Sequence, residues 1–128
     1  MKKIAVILGG CGTKDGSEIN ETVTLLLALD QHNVKYQCFA PDMNQYQVIN
    51  HVTGEVVDEK RNMLVESARI VRGEILPLSE FNASDFDGLA IPGAQIWSRR
   101  RSCRGYSYNR KGAELGQDNN HNTTIRAC

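Results

Sequence analysis

Residues 4–12 read Ile4-Ala5-Val6-Ile7-Leu8-Gly9-Gly10-Cys11-Gly12. The unbroken apolar run Ile4–Leu8 suits a strand covered on both faces, as in a parallel sheet. Three glycines within the next four residues then break it and allow a tight turn. A helix should follow. Asp15 or Ser17 can cap it, and Glu18 and Glu21 lie in its first turn, where negative charge suits the helix dipole. Ile19, Val23, Leu26 and Leu27 fall on one apolar face. Asn33 can close the helix in a left-handed conformation.

The alternation continues outward from this unit. Val34 to Ala40 reads as a second strand, closed by Pro41-Asp42. Val48-Ile49 and Val56-Val57 flank Thr53-Gly54 and read as a small hairpin. A second helix starts near Asn62, buries Leu64, Ala68 and Val71, and ends at Gly73. Ile75 to Leu78 reads as a short edge strand, Asn82 caps a single turn, and Leu89-Ala90-Ile91 is a third main strand stopped by Pro92-Gly93. Parallel strands joined by helical crossovers define a doubly wound α/β sheet of about three parallel strands, with Ile4–Leu8 in the centre. Ligands of such sheets sit at the carboxyl ends of the strands, where Gly9–Asp15 and Pro92-Gly93 both lie.

The 128 residues carry fifteen basic and fifteen acidic side chains, but the balance hides a division. Residues 1–94 hold eight Lys/Arg against thirteen Asp/Glu, a net of −5, and residues 95–128 hold seven against two, a net of +5. Periodic apolar spacing stops at the same place. The chain therefore divides into an α/β part, 1–94, and a basic, aperiodic tail, 95–128, expected to be disordered. Codons for Gln95-Ile96-Trp97-Ser98 can encode Phe-Gly-Val one base out of register, so a frame change also accounts for the tail.

Zero net charge gives no argument for a nucleic-acid or membrane partner. Arg99-Arg100-Arg101 reads as a solvated run rather than a phosphate site. No stretch of about 18 apolar residues is present. Met-Lys-Lys leads straight into the first strand, too short for a signal peptide, and the four cysteines at 11, 38, 103 and 128 are widely spaced. Neither a disulfide framework nor a metal site is indicated, and a reducing, cytoplasmic compartment is expected.

The glycine loop has the look of a phosphate cradle but lacks its parts. A dinucleotide fingerprint needs a third glycine where Asp15 stands, and no Walker Lys-Ser/Thr follows. Cys11, after a strand and near a helix start, is a possible reactive thiol or a packing residue. His32 and His51 read as solvent-facing or hairpin residues.

Ile4–Gly12 followed by Asp15-Gly16-Ser17-Glu18-Ile19 resembles the opening of the ElbB-type proteins of the ThiJ/PfpI superfamily. Cys38-Phe39-Ala40-Pro41-Asp42, Val48-Ile49-Asn50-His51, Thr53-Gly54-Glu55, Arg61-Asn62, Glu66-Ser67-Ala68-Arg69-Ile70, Arg72-Gly73 and Ile91-Pro92-Gly93 extend the likeness over residues 1–93.

The resemblance implies a flavodoxin-like fold related to class I glutamine amidotransferases. It also implies a cofactor-free glyoxalase, acting on a small aldehyde by turning glyoxal into glycolate and linked to isoprenoid metabolism. In that family a glutamate on the first helix, at the position of Glu18, holds the thiol of a later nucleophile elbow. The Pro-Gly-Gly turn, of which Gly93 is the remnant and Ala94 a departure, helps form an oxyanion hole. No elbow sequence follows Ala94, and Cys103 and Cys128 lack a preceding apolar strand. Covalent attack on an aldehyde needs a held thiolate and an oxyanion site. The expectation is an inactive, truncated ElbB-like chain. The alternative is a non-catalytic protein that self-associates through an uncovered sheet edge and helix face, or a truncated product with no function of its own.

Overall fold

The computed structural model describes residues 1–93 and a strand at 123–125. Five strands, β1 (Lys3–Ile7), β2 (Lys35–Ala40), β5 (Ile75–Pro77), β6 (Gly88–Ala90) and β7 (Thr123–Ile125), form one sheet in the order β5-β2-β1-β6-β7. Every pairing in it is parallel. Val6 stands opposite Cys38 on one side and Ala90 on the other, so β1 is central. Helices α1 (Ile19–Gln31) and α2 (Met63–Ile70) make the crossovers, and β3 (Val48–Ile49) pairs antiparallel with β4 (Val56–Val57) as a separate hairpin. This is the parallel α/β sheet that the sequence implies, with both described helices on the face of Val6 and Cys38.

The core follows from strand alternation. Ile4, Val6 and Leu8 of the first strand and its extension join Cys38, Ala40 and Ala90 from its neighbours. Leu29 closes over them, with Leu25, Leu26, Leu64 and Val71 packed alongside. Phe39, between Cys38 and Ala40, therefore points to the other face. There it meets Phe81 and Phe86 edge-on, at centroid distances of 5.4 and 5.5 Å.

Three expectations are corrected. The sheet has five parallel strands rather than about three. β5 is the short edge strand read at Ile75, and β7 comes from the basic tail, where Thr123-Thr124-Ile125 is a run of strand-prone β-branched residues. The edge of β6 is thus paired, not bare. The rest of the tail, with its expected disorder or frame change, lies outside the described residues.

The second correction is the rotation of α1. Thr22 and Leu29 are its buried residues, while Ile19, Val23 and Leu27 are 44%, 48% and 53% exposed. Residues 25–29 are apolar without interruption, so periodicity alone cannot choose the face. Thr22 can be fully buried because its hydroxyl donates to the Glu18 carbonyl at 2.7 Å.

The third is the cap. Glu18, not Asp15 or Ser17, is the N-cap residue of α1. Asp15 and Ser17 are instead buried and bond to other segments. At the other end Asn33 takes the expected left-handed conformation, φ 54°. Asn62 caps α2 and Asn82 caps a single 3-10 turn, as their positions suggest.

Candidate functional site

The glycine loop at the end of β1 is held by its own chain. Gly9 N–H donates to Ser17 Oγ at 3.0 Å, and Gly10 N–H to Ser67 Oγ at 2.8 Å. Further main-chain bonds cross the loop, Gly12 N–H to Ser17 O and Ser17 N–H to Gly10 O. These donors are spent inside the protein, so they do not form a phosphate cradle. Gly16 closes the loop by contact. A Cβ there would lie 2.5 Å from Cys11 N and 2.7 Å from the Gly10 carbonyl carbon.

Across the carboxyl ends of the strands, the loop meets the turn that follows β6. The two residues singled out there, Glu18 and Gly93, are in contact: a Cβ on Gly93 would run into the Glu18 main chain. Gly93 also has φ +61°, a left-handed conformation that suits glycine. The two first-turn glutamates have different tasks. Glu18 Oε2 accepts from Glu21 N–H at 2.6 Å, capping its own helix. Glu21 Oε2 accepts from Gly93 N–H at 2.8 Å.

Glu21 is the residue that sequence reading missed. Its signal was available: it sits three positions after the cap, where a capping box places a Glu. In that motif the Glu side chain turns back to the cap residue. Here it reaches across to a turn 72 residues later.

Cys11 is half-buried beside α2. Its thiol is pushed above its ordinary range by burial first and by the Glu66 carboxylate second, with Arg69 opposing. The thiolate is therefore disfavoured at neutral pH, opposite to the activation that a helix start can give. Burial pushes the Cys38 thiol up to about 12. His51, expected only as a hairpin or solvent-facing residue, packs against the loop. Its Nε2 lies 3.8 Å from Asp15 Oδ1 and accepts from Lys14 N–H at 3.3 Å. Among the described residues, no three His, Cys, Asp or Glu side chains gather as a metal site.

No protein-family model matches the chain. Individual proteins do. The human glutamine amidotransferase-like class 1 domain-containing protein 3, mitochondrial, is 42% identical over 92 residues, covering 71% of this chain and 34% of that protein. The ES1 protein homolog, mitochondrial, of Rattus norvegicus is also 42% identical over 92 residues, covering 71% of this chain and 35% of its own length. A crystal structure from Ehrlichia chaffeensis, an isoprenoid biosynthesis protein with an amidotransferase-like domain, superposes with a TM-score of 0.71 at 53% identity. It covers 73% of this chain and 44% of that one.

Over roughly 70% of its length the chain is similar in sequence and fold to class I glutamine amidotransferase-like proteins. The chain spans about a third of the length of the curated relatives it matches. Both of these relatives are named as mitochondrial proteins. No described helix is long and apolar enough to cross a membrane.

Proposed function

We propose that this chain carries the carboxylate side of an ElbB-type glyoxalase site and lacks the nucleophile side. Glyoxal and one water give glycolate when a hydride moves from one carbon to the other. The overall reaction therefore needs no external oxidant or reductant, in keeping with a cofactor-free enzyme on a small aldehyde. The observation that carries the reading is the Gly93 N–H bond to Glu21 Oε2, which ties a first-helix carboxylate to the Pro-Gly turn. We assign the thiol-holding role to this carboxylate pair, with Glu21 facing the turn and Glu18 fixing it from the cap. Gly93 is the oxyanion-loop remnant. Cys11, raised by burial and Glu66, is a poor substitute for the missing nucleophile. A link to isoprenoid metabolism rests on the name of the Ehrlichia relative. The compartment is a reducing one, cytoplasmic by the sequence reading and mitochondrial by the names of the curated relatives.

The test is direct. Recombinant chain incubated with glyoxal should form no glycolate above background. Turnover that disappears in Cys11→Ser would overturn the reading by making Cys11 the nucleophile.

A second reading is a non-catalytic protein that acts by self-association. Ile19, Val23 and Leu27 favour it, an exposed stripe on a helix with no charged side chain between Glu21 and Asp30. The edge of β6 no longer supports it, because β7 pairs there. Sedimentation of the wild type against Val23→Glu/Leu27→Lys distinguishes this reading, since only a helix-face association is lost in the variant.

A further inference from the structure

The glycine loop is tied to the β3–β4 hairpin by the Asp15 carboxylate and by the His51 imidazole, and the second tie depends on the protonation state of the ring. His51 Nδ1 lies 3.0 Å from the Ile49 carbonyl, which can only accept, so Nδ1 carries a proton. Nε2 accepts from Lys14 N–H at 3.3 Å, so it carries none. The bonding partners thus define one neutral tautomer, with both ring nitrogens used. On its other side Nε2 faces Asp15 Oδ1 at 3.8 Å, a carboxylate whose side chain is 4% exposed against 38% for the ring. The second oxygen, Oδ2, accepts from Ile49 N–H at 2.7 Å. The main chain of Ile49 therefore grips both the carboxylate and the ring.

We propose that His51 is an acid-released latch on the glycine loop, holding the Lys14 amide when neutral and turning to the Asp15 carboxylate when protonated. A proton on Nε2 removes the lone pair that Lys14 N–H uses and sets two N–H groups against each other. The same proton gives Asp15 Oδ1 a charged donor within a short rotation. Lys14 is exposed, so its amide can pass to water as the latch opens. Asp15 keeps its bond to Ile49, so the loop loosens at Thr13-Lys14 without losing its buried anchor. The Lys14 ammonium lies beside Gly54 of the hairpin, 3.2 Å from where a Cβ would stand. Asp15, Glu66, Arg61 and Arg69 all act on Cys11 within the same loop, and both Asp15 and Glu66 act on Arg61. Imidazole is the side chain that ordinarily changes charge near neutral pH. The device is independent of the glyoxalase reading, because it requires neither a nucleophile nor a substrate.

The test uses the full chain, labelled with ¹⁵N, titrated from pH 8 to 5 by NMR. The Lys14 amide signal should move with the same midpoint as the His51 ring protons. Its hydrogen exchange, corrected for pH, should rise by about two- to tenfold on the acid side, as expected for loss of one modest hydrogen bond. In His51→Gln, a change at a partly exposed side chain, the acid response of Lys14 should vanish. A Lys14 amide that stays still while the His51 ring titrates would overturn the proposal. So would an unchanged Lys14 response in His51→Gln.

Discussion

Gly93 and Gly73 both sit at positive φ, +61° and +90°, yet their surroundings differ. Nothing lies within 4 Å of a Cβ built on Gly73, while one built on Gly93 meets Glu18. Gly73→Ala should therefore cost only the backbone strain, about 1 kcal/mol. Gly93→Ala adds a clash with main chain that cannot rotate away, and should cost about 3 kcal/mol or more. Urea melts of the two variants side by side make the comparison, and equal losses would contradict the contact between the turn and the first helix. Cys11 provides a second check at this scale. Burial and Glu66 both hold its thiol up, so removing the carboxylate charge should lower its titration range and raise the thiolate fraction at neutral pH. Alkylation of Cys11 at pH 7.5 should be faster in Glu66→Gln than in wild type, with Cys103 and Cys128 replaced by Ser in both. The sequence could flag Glu18 and Gly93 one by one. It could not join them, because the bond that does so runs from Glu21 to a residue 72 positions away.

Among the elements, the strands were the most legible. Ile4–Leu8 is apolar at every position, and a run of that kind has few stable places other than the centre of a parallel sheet. α1 was legible as a helix but not in its rotation. Its second half, Leu25-Leu26-Leu27-Ala28-Leu29, offers an apolar face in nearly any direction. The choice is made by tertiary contacts, with Glu21 held to Gly93 and Leu29 packed in the core. Two leucines two positions apart should then behave very differently. Leu29 is 6% exposed and packs in the core, so Leu29→Ala should cost about 2–5 kcal/mol. Leu27 is 53% exposed, and Leu27→Ala should stay within about 0.5 kcal/mol in dilute, unassociated protein. Thermal or denaturant unfolding of the pair decides, and a large loss at Leu27 with none at Leu29 would restore the face that simple periodicity selects.

For the molecule as a whole, the question is what the exposed stripe of α1 does in a chain of this size. Net stability of a domain is only about 5–15 kcal/mol, and each apolar surface left in water forgoes roughly 25 cal/mol per Å². β7 covers β6 and is itself the last strand of the described sheet, and the other edge ends on Pro77 of β5, whose ring nitrogen carries no N–H to recruit a further strand. Edge-to-edge growth is hindered at β5 by that proline. The helix face is the stronger route to association, because Ile19, Val23 and Leu27 recur every fourth residue and no charged side chain lies between Glu21 and Asp30 to repel a second copy. Association that consumes this stripe stabilises the folded state by mass action, so the melting temperature should rise with protein concentration. Val23→Glu/Leu27→Lys changes only exposed positions. It should sediment as a monomer and melt at a temperature independent of concentration, close to the dilute wild-type value. A wild type that is itself monomeric, with a sharp, concentration-independent transition above about 60 °C, high for an ordinary domain, would mean that the fold needs no partner on α1.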